Sequence, residues 1–590
     1  MRRIKNTFST LLKPSLFKAV FKNQVTEERT YFILTILTGV IAGLVAVALN
    51  KSVHLLTDFF NSDQPFTLRT TLLAGTSIFI SGWITTRKFP STAGSGIPGV
   101  RVALAVYHGK ISIGSTIAKF FTTILSLSSG FSLGREGPTV AIASGFGSAL
   151  GNYFHLSKNK VKALVAVGAS GGIAAAFNTP ISAVVFTLEE ILGDLNAKML
   201  GSIIISSVVA SVTAILLTGD THPFVELNYK LNSVSELIFY LFIGISAAIV
   251  GPLWVKSVLA VRKYNLRLLF GHRLTNIMLT FAIIAVISHL NPKVLGSGHH
   301  TIREALLSLI LDWRVLLGIF SLKFLATSLS YGSNVSGGLF MPTLLMGATL
   351  GSLVGALGEN LFPELVTNSG AFAIVGMGAY FAAVIRAPMT SVLIVFELTR
   401  DYNIILPLMI ANGTAYLISL QIQKGSVYEM ISEQDGIHLP SHEDNEVLET
   451  LHIEDAMVSD VFTLEANLTI QKASELIKDK KYSGFPVVRK GELIGMVSSN
   501  DILACVTKGD LDREIFVISE RKVISVYPDQ SLLVAFHKLR RFHVSRLPVV
   551  SRVNRKKILG IITAENIASK FGYHVTHEDD DENTDLKNNS

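Results

Sequence analysis

The chain has 590 residues, of which 49% are hydrophobic and 16% charged, and a mean hydropathy of +0.46, which is too oily for a soluble protein of this size. Its single cysteine, Cys505, excludes an intrachain disulfide framework and a Cys-rich metal site. The net charge of +8 comes without basic and aromatic interleaving, which points to loops facing anionic lipid and away from nucleic acid.

The first 30 residues carry Arg2, Arg3, Lys5, Lys13, Lys18 and Lys22 with no small-residue cleavage site, and read as an uncleaved cytoplasmic N-terminus. Apolar segments follow at about 31–49, 69–86, 112–128, 161–176, 181–192, 202–217, 234–260, 275–290, 313–330, 340–357, 370–384, 387–398 and 404–421. Several fall short of the ~20 residues a helix needs to cross the hydrocarbon, and Gly or Pro interrupts them. Helices that break or end inside the membrane are therefore expected.

Landmarks recur in two halves. Gly94-Ser95-Gly96 is echoed by Gly296-Ser297-Gly298, each followed by an Arg and an Ala-Leu pair. Gly134 lies 40 positions after Gly94, and Gly337 lies 41 after Gly296. Pro180 precedes Glu189 by nine residues, as Pro388 precedes Glu397. Two homologous halves, as in many transporters, account for this. In that register Glu189 has a counterpart and reads as architectural, whereas Glu190 faces Leu398 and is the exception.

Three Gly-rich turns run into apolar helices: GSGIP at 94–98, GREGP at 134–138 and GGLFMP at 337–342. Any one alone reads as a tight turn, but three in register suggest converging helix N-termini, whose free N–H groups bind anions. GSGIPG, residues 94–99, also matches the dinucleotide fingerprint, yet no strand precedes it and no acid stands at 114–121 to hold a ribose. Glu136 sits where its carboxylate would occupy the anion site itself. Protonation would remove its charge and release it, linking proton movement to anion entry; the alternative is a structural pair with Arg135. Glu190 is either functional, as intramembrane acids usually are, or a snorkelling acid near a membrane face. The His299-His300 pair has no zinc-site spacing, and no Ser-His-Asp arrangement stands out in the soluble part, so enzyme activity has little support.

Beyond Gln423 the composition changes, and an acidic linker at 431–450 leads to two similar α/β units at 451–508 and 515–574. GFPVV with LIGMVSSNDI, and RLPVV with ILGIITAENI, mark the units. The acidic residues at 575–590 read as a disordered tail.

Together these motifs resemble the CLC family of chloride channels and chloride/proton antiporters with tandem CBS domains, over about 30–574. The resemblance implies an all-α polytopic domain of two inverted repeats with broken and tilted helices at 31–430, in a homodimer with an anion path in each subunit. It implies a hydroxyl from Ser95, beside Gly96 and Ile97, at a central anion site where serine goes with chloride. The Tyr428 hydroxyl and the backbone N–H groups of Leu339 and Phe340 would complete that site, Glu136 would gate it, and Glu190 would carry the proton. True channels of the family usually hold an apolar residue at the Glu190 position. Arg101, three residues after Pro98, departs from exchangers that carry an acid there, and a pair with Glu190 would slow proton transfer. In the CBS pair Tyr482 resembles an adenine-stacking residue. Asp501 keeps the Ser/Thr-x-x-Asp acid in the first unit, while Asn566 replaces it in the second, so adenine-nucleotide regulation competes with a purely structural dimerisation module. The expectation is a chloride/proton antiporter in the lipid bilayer of a plasma membrane, a bacterial inner membrane, with the N-terminus and CBS domains cytoplasmic. The alternative is a passive chloride channel gated by voltage or pH; a membrane enzyme or a CBS-regulated cation transporter lies further off.

Overall fold

The computed structural model describes residues 27–437 and 448–570, apart from 195–198, 220–233, 266–272, 311, 364–368, 479–483, 520–522, 543 and 568. The basic N-terminal segment to residue 26, half of the acidic linker (438–447), Tyr482 and the acidic tail lie outside the described residues. The chain divides into two units, Met1–Leu439 and Pro440–Ser590.

The first unit is helical. Among the described residues, eight helices are long and apolar enough to cross a membrane. The expected segments recur as helices with nearby ends: 112–128 as Ile113–Ser128, 161–176 as Lys158–Phe177 and 404–421 as Ile405–Ile422. The first described helix, Glu27–Phe60, continues well beyond residue 49. Its 34 residues span about 51 Å at 1.5 Å each, more than the ~30 Å of hydrocarbon, which leaves room for its polar end at Asn50, Lys51, His54 and Asp58.

One helix, Glu136–Tyr153, has no counterpart among the apolar segments read from the sequence. Its residues are small rather than oily, and small residues allow neighbouring backbones to approach. Ala143 O stands 2.5 Å from where a Cβ would be at Gly168, on the Lys158–Phe177 helix. The same device joins Phe340–Leu361 to Ser369–Ile385, where a Cβ at Gly376 would come within 2.7 Å of the Gly351 Cα.

The two halves exchange contacts. Glu189 accepts from Met389 N–H at 3.2 Å and from Thr390 N–H at 2.8 Å, at the start of the Pro388–Thr399 helix. Glu397 accepts from Ile181 N–H at 3.0 Å and Ser182 N–H at 2.7 Å, at the start of the Pro180–Phe186 helix. Each also receives a hydroxyl, from Thr390 and Ser182 respectively. Reciprocal contacts of this kind require a two-fold relation between the halves, as in an isologous interface. Glu189 is thus an N-terminal anchor for the other half's helix, which satisfies free N–H groups and opposes the helix dipole.

The two-fold relation also corrects the register of the repeat. Gly134 exchanges both backbone hydrogen bonds with Gly338, at 2.8 and 2.6 Å, and not with Gly337. Pro138 and Pro342 then stand at equal distance from their glycines, and Glu136 matches Phe340. The error of one residue arose because three adjacent positions, Ser336 to Gly338, are small and interchangeable by composition.

The second unit contains two related halves. In the first, strands Leu464–Glu465, Gly484–Arg489 and Glu492–Ser498 form a sheet, parallel at its first pairing and antiparallel at its second. In the second, Arg546–Val550 pairs antiparallel with Ile558–Thr563, and Val526 adds a parallel bridge at Val549. Both antiparallel ladders shift register within the Pro-Val-Val run, at Val487/Val488 and at Val549/Val550. The Arg546 guanidinium donates to Gly484 O at 3.0 Å, and Leu493 N–H to Lys556 O at 2.7 Å, tying the halves together.

Glu397→Ala should remove a carboxylate that receives two N–H groups and a hydroxyl at a helix start, at a cost of about 2 kcal/mol. Thermal unfolding in detergent should show the lower midpoint, and Glu189→Ala should match it; an unchanged midpoint in both would refute the anchoring role.

Candidate functional site

Three helix N-termini meet around one small region. GSGIP enters the Ile97–Ala105 helix through Gly96, whose φ of +90° is a left-handed conformation natural to glycine. GREGP enters Glu136–Tyr153, and GLFMP enters Phe340–Leu361 with Leu339 as the capping residue. Backbone bonds lock the turns together: Gly94 N–H donates to Val335 O at 2.9 Å, Gly337 N–H to Gly94 O at 3.1 Å, and Gly134 pairs with Gly338.

Buried lysines hold the first of these turns and its counterpart in the other half. Lys119 Nζ donates to Thr92 O at 2.8 Å and Gly94 O at 2.6 Å, and in the other half Lys323 Nζ donates to Val294 O at 3.0 Å and Gly296 O at 2.9 Å. Carbonyl acceptors offset part of the cost of burying an ammonium.

Glu136 is 1% exposed at the head of its helix. Its carboxylate faces the backbone N–H groups of Arg135, Glu136 itself and Met341, yet neither oxygen completes a hydrogen bond of ordinary length and angle. The group therefore lies between the N-termini of two helices, one from each half. Arg135 Nε is 3.9 Å away, at the limit of an ion pair. The rest of that guanidinium is directed at His54 Nε2, 3.3 Å, and His299 Nε2, 3.4 Å. Arg135 and His299, with Thr139, Asn50 and Asn178, line a cavity of about 200 Å³ beside the head of the Glu136–Tyr153 helix.

Ser95 is buried, and its Oγ accepts the Ile97 N–H at 3.1 Å, so its own proton is directed elsewhere. Its backbone N–H lies 3.5 Å from the hydroxyl of Tyr331, a buried residue that the sequence did not single out. The Tyr428 hydroxyl is buried without a hydrogen-bond partner, within electrostatic reach of both Glu136 and Glu190. Leu339 and Phe340 stand at the free N-terminus of their helix, where N–H groups have no intrahelical acceptor. The residues expected at the anion site, Ser95, Gly96, Ile97, Leu339 and Phe340, all belong to these tied turns, and Ile97 N–H is already taken by Ser95.

Glu190 lies on a widened turn, Thr187–Leu192, that continues the Pro180–Phe186 helix. It is 5% exposed and forms an ion pair with Arg101, as the sequence departure at that position suggested. Ser426 Oγ donates to it at 3.0 Å. Ser426, Glu429 and the two lysines were not read from the sequence. The lysines were visible as charges in apolar segments, Lys119 in IAKFF and Lys323 in SLKFL.

In the soluble unit, Asp501 caps the Ser499–Lys508 helix, with Ser498 Oγ donating to it at 2.6 Å. Asn566 repeats the arrangement with Thr563, at 2.7 Å, so the acid and the amide serve the same turn.

The model of the voltage gated chloride channel family matches residues 77–420, and the CBS domain model matches 453–508 and 513–572. The chain belongs to the voltage gated chloride channel, or CLC, family and carries a tandem CBS pair. It is 30% identical over 445 residues to the H(+)/Cl(-) exchange transporter ClcA of Vibrio cholerae serotype O1 (strain M66-2), covering 72% of this chain and 95% of that protein. Its structure resembles that of a slow cyanobacterial Cl-/H+ antiporter, with a TM-score of 0.63, 25% identity, and 69% and 98% of the two chains covered. A eukaryotic CLC transporter shares the fold with a TM-score of 0.66 at 20% identity, over 91% of this chain and 98% of that one.

At Gly137 a Cβ would stand 3.0 Å from Ser95 O and 3.2 Å from its Oγ. Gly137→Ala should push the Ser95 turn aside and weaken anion binding about tenfold, or ~1.4 kcal/mol. Calorimetric titration of the detergent-solubilised protein with chloride measures this; unchanged affinity would remove Ser95 from the site.

Proposed function

We propose that this protein is a chloride/proton antiporter in which Glu136 is the gate and Glu190 the proton acceptor toward the other face. One observation carries the reading: two buried carboxylates act electrostatically on the unpartnered Tyr428 hydroxyl, one of them between helix N-termini with neither oxygen in a hydrogen bond of ordinary length and angle. A passive pore has no use for the second acid. The names of the exchange transporter and the antiporter it resembles point the same way.

Ionised, Glu136 takes the anion's place against the two helix ends. Protonated, it loses that attraction and yields to chloride, which the hydroxyls of Ser95 and Tyr428 and the N–H groups of Leu339 and Phe340 receive. The proton then passes between Glu136 and Glu190 as chloride moves the opposite way. Arg101 must loosen its hold before Glu190 accepts a proton, which makes turnover slow. The protein works as a homodimer in a bacterial inner membrane, with the CBS pair on the cytoplasmic side as a regulatory or stabilising module.

In liposomes loaded with chloride, an outward chloride gradient should drive proton uptake. Glu136→Gln should give chloride flux independent of protons, and Glu190→Ala should abolish proton movement while sparing part of the chloride movement. Wild-type chloride flux without coupled protons would establish the passive channel instead, and intact coupling in Glu190→Ala would remove that residue's role.

A further inference from the structure

The last helix of the membrane unit, Val427–Gln434, begins with a capping box. Ser426 Oγ accepts Glu429 N–H at 3.3 Å, and Ser426 N–H donates to Glu429 Oε2 at 3.0 Å. Such a motif ordinarily satisfies backbone donors and ends there. Here both side chains reach further. The Ser426 hydroxyl donates to Glu190 Oε1 at 3.0 Å, and Glu429 Oε1 accepts Arg101 Nη2 at 2.7 Å. The other arm of the same guanidinium, Nη1, holds Glu190.

One arginine therefore spans two carboxylates from distant parts of the chain. Their exposure differs: Glu429 is 28% exposed, Arg101 10% and Glu190 5%. Arg386 also acts electrostatically on Glu429, and Tyr428 lies near Glu190. Gly425 leaves room for this arrangement, since a Cβ there would come within 2.9 Å of Glu429 Oε2. With both carboxylates ionised the triad bears one surplus negative charge, and a single proton neutralises it.

We propose that Glu429 is the port through which protons reach Glu190, with Ser426 as the bridge between them; this rests on the reading of Glu190 as proton acceptor. Water delivers a proton to a Glu429 oxygen. Because the capping box joins Glu429 to Ser426 only through backbone N–H groups, one water carries that proton from the Glu429 carboxyl to Ser426 Oγ, which gives its own hydroxyl proton to Glu190 Oε1. Glu429 returns to a carboxylate, the serine is unchanged, and Glu190 becomes a neutral acid. Arg101 remains charged throughout; Nη1 loosens from Glu190 as that acid is neutralised, while Nη2 keeps its hold on Glu429.

Full-length protein in chloride-loaded liposomes tests this with Glu429→Gln, Glu429→Ala and Glu190→Gln. Glutamine at that position keeps the capping box but cannot carry a proton. Glu429→Gln should lower proton movement roughly tenfold or more, with more chloride carried per proton and an unfolding temperature close to wild type. Glu429→Ala should show the same proton loss and also unfold at lower temperature. Wild-type proton movement in Glu429→Gln, with loss confined to Glu429→Ala, would make Glu429 a helix cap alone and overturn the proposal. Intact coupling in Glu190→Gln would instead overturn the underlying reading of Glu190.

Discussion

Everything in the membrane unit depends on a pair of backbone hydrogen bonds between Gly134 and Gly338. They bring two helices from different halves together at their positive ends, an arrangement that repels itself unless something negative fills the gap. Each helix end carries roughly half an elementary charge, so two amount to about one counter-charge. An anion of single charge or one ionised carboxylate meets that demand, and both cannot be there at once. In the proposed transport cycle Glu136 and the transported ion compete for this one place.

The same logic explains the buried lysines. A cation placed beside an anion site would be expected to bind the anion directly, but Lys119 and Lys323 spend their donors on carbonyls of the turns. Binding through partial charges is weaker than binding through an ammonium, and a transported ion must leave as readily as it enters. In the proposed transport cycle the lysines would shape the site without trapping its occupant.

Much of this was legible in the sequence because the physical signals were local. Gly-rich turns before apolar runs marked the helix ends, and landmarks repeated at matched spacing marked the halves. Glu136 and Glu190 stood out as charges in oily surroundings. What escaped was non-local or disguised by composition. The helix Glu136–Tyr153 is made of small residues, so the GREGP turn marked its start but hydropathy did not mark its length, although most of it is buried. Gly338 was displaced by one because its neighbours are equally small. Ser426 and Glu429 form an ordinary capping box by spacing, and only the approach of Arg101 and Glu190 from other segments gives them further partners. Tyr331 likewise becomes part of the site through folding alone.

The exchange of carboxylates between Glu189 and Glu397 has a historical consequence. Each half supplies the group that starts a helix in the other, so neither is complete by itself, and a change accepted in one is felt as an unsatisfied helix end in the opposite half. Two copies of an ancestral unit could therefore diverge freely where they met lipid or ligand but had to age together at this seam. The asymmetry on which the proposed function rests, an acid at Glu136 where the repeat places an aromatic ring at Phe340, sits inside a frame whose symmetry is kept by what each half supplies to the other.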